Sequence, residues 1–169
     1  LLVWDLSGLD LVMLRWVGDA HGFALRDHVL TRGLLHDGGR VLGWAVAALL
    51  VVNVFRPLWP GLARRERIGW LAVTLLCLVA TSALKQVSQT SCPWDLAEFG
   101  GVARYVSHWH LGGDGGPGRC FPSGHASAAF AFFGGWFVLR GRHPRAAGLW
   151  LAGVLLAGFL FGVGQFLRG

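Results

Sequence analysis

Charge is what this chain has least of. Of its 169 residues only 14% are Asp, Glu, Lys or Arg, against 54% apolar, and the mean hydropathy is +0.52. That balance lies far from a soluble domain of this size and makes an integral membrane protein the first expectation. Acids are scarcer than bases, giving a formal charge of +6. A basic chain can bind nucleic acid when Lys and Arg line a solvated face, but these arginines stand in short clusters between apolar runs, so no nucleic-acid partner is expected. Cysteine is limited to Cys77, Cys92 and Cys120. No Cys or acid cluster accompanies His108 and His110 of the HWH stretch, which therefore read as solvated loop rather than metal ligands. No basic region precedes the apolar start, which argues against a cleaved signal peptide. Internal repeats are absent, and the one low-complexity tract is the loop GGDGGPG at residues 112–118.

Long apolar runs are what the sequence does have. Residues 41–55 (VLGWAVAALLVVNVF), 68–84 (IGWLAVTLLCLVATSAL), 126–139 (ASAAFAFFGGWFVL) and 146–167 read as membrane helices. The last run, at about 1.5 Å per residue, covers roughly 33 Å and crosses a bilayer core of about 30 Å. Its Gly148, Gly153, Gly158, Gly162 and Gly164 suit close helix packing in lipid. The opening stretch is apolar but carries Asp5, Asp10 and Arg15, which argues against a full span. The expected fold is all-α: an integral membrane bundle of four transmembrane helices plus an interfacial N-terminal segment. Residues 1–169 are expected to form one domain, with 1–40 as the interfacial outer segment and 41–169 as the transmembrane core. Trp4, Trp16, Trp94 and Trp109 fit an interfacial belt, and His21, His28 and His36 read as surface.

Arginine sets an orientation. The connection at 56–67 holds Arg56, Arg64, Arg65 and Arg67 against Glu66, and the one at 140–145 holds three arginines, His143 and no acid. Positive loops stay in the cytoplasm, so both are placed inside. Residues 1–40, with four Arg against five Asp, and residues 85–121, with Lys85, Arg104 and Arg119 against Asp95, Glu98 and Asp114, belong outside. Lys85, His125 and Arg168 then converge at one outer surface. Cys92 and Cys120 share that side, where an oxidising exterior permits a disulfide between them; two free thiols are the alternative.

Taken singly, Lys85 and Arg168 read as cations snorkelling at helix ends. The stretch RCFPSGHAS at 119–127 is harder to read as packing alone. Ser123 is a suitable N-cap, Gly124 lets a ligand approach the backbone, and the free amides of a helix start favour an anion. With two cations beside it, phosphate is the natural guest, and His125 in the first turn can exchange a proton near neutral pH.

PSGH at 122–125, together with Lys85, the CPWDL stretch at 92–96 and the topology, resembles the type 2 phosphatidic acid phosphatase superfamily over roughly residues 41–169. The family's first motif is a Lys followed at fixed spacing by Arg-Pro; here Lys85 is followed at that spacing by Cys92-Pro93, so the second cation is missing. The second motif is intact, and the resemblance implies that Ser123 and Gly124 hold phosphate while His125 protonates the leaving oxygen. For the Arg of the third motif, Gln165 and Arg168 are the candidates, with Arg168 favoured as the only cation there. The motif's nucleophilic His and orienting Asp would fall past Gly169, so the chain reads as an excerpt clipped at both ends. The resemblance implies a lipid phosphate or pyrophosphate substrate among membrane lipids, no cofactor or metal, and a phosphohistidine intermediate. The expected location is the bacterial inner membrane with the site facing the periplasm. A phosphotransferase between lipids and a lipid-phosphate-binding protein without turnover are the alternatives. A haem bundle lacks paired histidines within its spans, and a pore lacks polar positions along its helices.

Overall fold

A computed structural model of the chain describes residues 7–107, 110 and 112–169. Trp4, Asp5, His108 and Trp109 lie outside the described residues. A short helix α1 (Leu9–Leu14) leads into a two-stranded hairpin of β1 (Gly18–Asp19) and β2 (Gly22–Phe23). A π-helical segment, Val29–Gly38, continues directly into α2 (Gly39–Phe55). Then come α3 (Arg64–Val87), 3-10 turns at Pro93–Asp95 and Ala97–Phe99, α4 (Gly124–Phe130), a 3-10 turn at Ala131–Phe133, α5 (Gly134–Leu139) and α6 (Pro144–Arg168). The fold is an all-α bundle. Three helical stretches, Val29–Phe55, Arg64–Val87 and Pro144–Arg168, are long and apolar enough to cross a membrane, and Gly124–Leu139 is a shorter apolar helix.

The helix ends follow from local chemistry. Glu66 reaches back to accept a hydrogen bond from the backbone N–H of Ala63 (2.7 Å), satisfying one of the first orphan donors of α3. Pro144 opens α6, where a missing N–H costs nothing. Arg67, almost wholly buried, donates through Nη1 to the carbonyls of Asn53 (2.7 Å) and Val54 (3.1 Å). A cation on the last carbonyls of α2 closes that end and complements its dipole.

The main core lies between the long helices and gathers Ala47, Leu50, Leu62, Trp70, Phe132, Leu139, Ala147 and Val154. Trp70 and Trp150 meet edge to face with centroids 4.9 Å apart, and Trp59 packs against both. The carbonyl of Phe132, in the 3-10 turn, accepts from Trp150 Nε1 at 2.8 Å. Tryptophan here builds the core as well as any interfacial belt; Trp16 is exposed as a belt residue would be. Of the glycines in the last helix, Gly158 lies under the Phe130 ring and Gly164 under Leu35, where a Cβ would collide, whereas Gly148, Gly153 and Gly162 face open space.

The helix that ends at Phe55 begins at Val29, well before the apolar run that marks it in the sequence. Packing explains the extension: Gly39 sits against the Phe161 ring, as Gly164 does against Leu35. The N-terminal segment is also more than an interfacial strip. Leu14 and Phe23 join Leu96, Phe99 and Ala103 in a second small core, and Arg15 pairs with Glu98 across the surface.

The two arginine-rich connections meet at one end of the bundle. Arg142 Nη1 donates to both carboxylate oxygens of Glu66 (2.9 and 3.1 Å), and the His143 ring contacts the Pro60 carbonyl at 2.7 Å. Lys85, Ser123 and Arg168 stand at the other termini of their helices, hence at the opposite end.

Candidate active site

The ends of α3 and the start of α4 are brought together by a loop stitched to itself. The backbone N–H groups of Arg119 and Cys120 donate to the carbonyls of Ser88 (2.8 Å) and Thr90 (2.9 Å). Cys92 and Cys120 are joined by a disulfide, with Cα atoms 5.0 Å apart. Buried Asp114 takes hydrogen bonds from the Ser91 N–H (2.5 Å), the Ser91 hydroxyl (2.8 Å) and the Gly116 N–H (3.0 Å). Gly118 adopts a φ of +66°, and a Cβ there would lie 2.9 Å from the Ser88 carbonyl oxygen, so glycine lets the extended segment after α3 approach.

This stitching sets the PSGH turn against α3. The nearest side-chain atom to the open face of Gly124 is Lys85 Nζ, 3.5 Å from where a Cβ would stand. Lys85 is the chain's single lysine, half-buried, and has no carboxylate partner among the described residues. A desolvated cation without a counter-ion is poised for an anion. His125 follows Gly124 in the first turn of α4, and the charges of Lys85 and Arg168 both act on its ring. Arg168 is held by donation from Nε to the Arg26 carbonyl at 2.9 Å, while Arg26 lies 4.6 Å over the Trp94 ring.

Ser123 does not cap α4 with its side chain, contrary to the sequence expectation. Its backbone carbonyl accepts from Ser127 at 3.1 Å, and its hydroxyl is buried with no partner among the described residues. Ser123 also lines a cavity of about 500 Å³, together with Leu14, Tyr105, Phe121, Gln165 and Phe166. A buried hydroxyl left unpaired is costly in a finished core and is what a binding site keeps for its ligand. Gln165 lines this cavity, whereas Arg168 is the residue of the two whose charge reaches His125.

One participant was not legible as such. His36, expected at the surface, stacks on His125 with ring centroids 4.1 Å apart, and its Nδ1 is 2.9 Å from Asp37 Oδ1. The signal that could have found it is a helical one: Leu35 and Gly39, which bracket it, are the residues that pack on α6.

A half-buried lysine, a serine hydroxyl with no partner among the described residues and a histidine are gathered at one end of a bundle of apolar helices. Residues 68–167 match the PAP2 superfamily, and with more than half of its length covered the chain belongs to that superfamily. No curated protein and no solved structure matches it. Members of the superfamily generally hydrolyse phosphate esters, so the broad function is of the phosphatase type. The chain departs from the family's pattern at Cys92, where a cation would stand before Pro93; here that position is spent on the disulfide to Cys120.

Proposed function

We propose that this chain is the membrane core of a phosphatase that removes phosphate from a lipid phosphate or lipid pyrophosphate at the outer, periplasmic face of a bacterial inner membrane. The observation that carries the reading is the placement of Lys85 Nζ against Gly124 of the PSGH turn. Lys85, Arg168, the amides around Gly124 and the Ser123 hydroxyl hold the phosphate oxygens, a set of donors that strengthens as negative charge builds in the transition state. His125 gives a proton to the lipid oxygen as its bond to phosphorus breaks, so the lipid leaves as a neutral alcohol, or as a lipid monophosphate if the substrate is a pyrophosphate. The phosphoryl group passes to the nucleophilic histidine of the family's third motif, and water then releases it as inorganic phosphate. No cofactor or metal is required. The two arginine-rich ends, tied by Glu66 and Arg142, face the cytoplasm in this reading.

Titration of inorganic phosphate into the detergent-solubilised chain by calorimetry tests the seat. Lys85→Ala is expected to weaken binding by roughly ten- to a hundredfold, the worth of a charge-assisted hydrogen bond of about 1.5–3 kcal/mol. Unchanged affinity in that variant would remove Lys85 from the seat and the reading with it.

A further inference from the structure

His36 and Asp37 belong to no motif that assigns them a role, yet they reach the candidate site from a different helix. Their segment, Val29–Gly38, packs along α6, and the ring of His36 meets the ring of His125 at 4.1 Å with an interplanar angle of 38°. A carboxylate can only accept hydrogen bonds, so at 2.9 Å from Asp37 Oδ1 the Nδ1 of His36 is the donor. That bond fixes both the tautomer and the ring plane of His36. Centroids 4.1 Å apart place the two imidazoles in van der Waals contact. No phosphoryl group fits between them, so His36 acts on the ring of His125 and not on phosphorus across from it.

His125 needs such a neighbour. It lies in the first turn of a helix whose N-cap side chain makes no capping bond. Nothing in α4 itself dictates how its ring is turned, and a proton donor must be held within about half an ångström and 10–20° of its productive pose. The charged and titratable groups around the ring are Lys85 from α3, Arg168 from α6, and His36 with Asp37 from the π-helical segment. Arg32 on the same segment and Arg40 at the start of α2 act on Asp37. Of these, His36 is the one in direct contact, through its ring and through its backbone, which hydrogen-bonds the His125 ring and which a substitution of the His36 side chain leaves in place.

We propose that His36, held by Asp37, is a positioning residue that fixes the ring of His125 over the phosphate seat. The proposal rests on the reading of His125 as proton donor, and its test separates the two. In the isotopically labelled chain, carbon relaxation of the His125 ring reports its order, and inorganic phosphate added to the same sample reports on the seat. The ring is expected to be as ordered as the rigid backbone around it in the unaltered chain and to lose order in His36→Ala, where the backbone hydrogen bond remains but the ring contact is gone. His36→Phe, which keeps a ring in place, is expected to restore most of that order, and Asp37→Asn to lower it partway. His125 order that is unchanged in both His36→Ala and Asp37→Asn overturns the proposal. If His36→Ala fails to fold, the Asp37→Asn and His36→Phe pair decides alone: order equal to that of the unaltered chain in Asp37→Asn overturns it. A His125 signal that loses order in His36→Ala yet never responds to phosphate upholds the positioning and sinks the phosphate seat instead. In a catalytically active preparation the corresponding activity signature is a fall in kcat on the order of a hundredfold on a poor leaving group, with KM little changed and His36→Phe largely rescued. A merely structural role would raise KM and lower thermal stability together and would not be rescued by Phe.

Discussion

Asp114 receives both donors of Ser91, the backbone N–H at 2.5 Å and the hydroxyl at 2.8 Å, and so clamps the loop before the PSGH turn to the chain leaving α3. Burial pushes the Asp114 carboxyl up, but the hydrogen bonds from Ser91 and Gly116 outweigh it and hold the group below its ordinary value. A carboxyl depressed by folding adds stability above its unfolded pKa of about 3.9 and loses it as pH falls through the lower folded value. Thermal melts are therefore expected to be flat from pH 7 to about pH 5 and to drop below pH 4. Asp114→Ala should cost about 1–3 kcal/mol at pH 7, because it leaves the Ser91 donors buried and unpaired, and should flatten the acid limb. An acid limb of equal depth in that variant would assign it to other carboxylates.

The Cys92–Cys120 disulfide closes a loop with a sequence separation of 28 residues. Loop-closure entropy for a ring of that size corresponds to on the order of 3 kcal/mol. Reduction, or Cys92→Ser, is expected to lower the melting temperature and to weaken inorganic phosphate binding, since the bond ties the end of the Lys85 helix to the start of the PSGH turn. Mass spectrometry after alkylation of the unreduced protein should find Cys77, which is exposed, as the labelled thiol. Alkylation of all three cysteines would remove the staple.

Orientation in the membrane is open to direct labelling. Arg65 and Pro117 are exposed at opposite ends of the bundle. In a Cys77→Ala background, Arg65→Cys is expected to react with an impermeant maleimide only after the inner face is opened, and Pro117→Cys in intact cells. Labelling of both from the same side would overturn the arginine-based topology.

The transmembrane runs were the most legible part of the fold. Residues 68–84 and 146–167 became Arg64–Val87 and Pro144–Arg168, longer at each end because charged residues such as Arg67 and Lys85 continue a helix that an apolar criterion stops at. The start of the first span was hidden for the same reason, since Arg32, His36, Asp37 and Arg40 break the apolar pattern while Leu35 and Gly39 carry the packing. At the site, Lys85, Gly124 and His125 were readable because motif and topology agreed on them. Ser123 has the residue type of a cap, but its hydroxyl makes no capping bond and lies buried without a partner among the described residues. His36 could not be read, because a contact between residues 36 and 125 depends on how two helices lie along α6, which no local pattern records.

The sharpest contrast in function is between Lys85 and His125, neighbours across Gly124 with different work to do. If His125 is the proton donor, His125→Ala in a catalytically active preparation should lower kcat by roughly two to four decades on an alkyl phosphate, whose leaving oxygen cannot depart unprotonated. Inorganic phosphate binding to the same variant should weaken far less, because the seat is made by Lys85, Arg168 and the groups around Ser123. An aryl phosphate with a very good leaving group should recover much of the lost rate, since departure no longer waits on the proton. Lys85→Ala should show the reverse: weak binding, and a loss of similar size on both substrates, because charge on the phosphoryl oxygens develops whichever group leaves. Packing at a helix start as the sole role of His125 would instead lower the melting temperature and both rates by equal factors. Turnover of the two variants on the two substrates, with melting temperatures alongside, separates these outcomes, and equal losses for His125→Ala on alkyl and aryl phosphates would remove its role as acid.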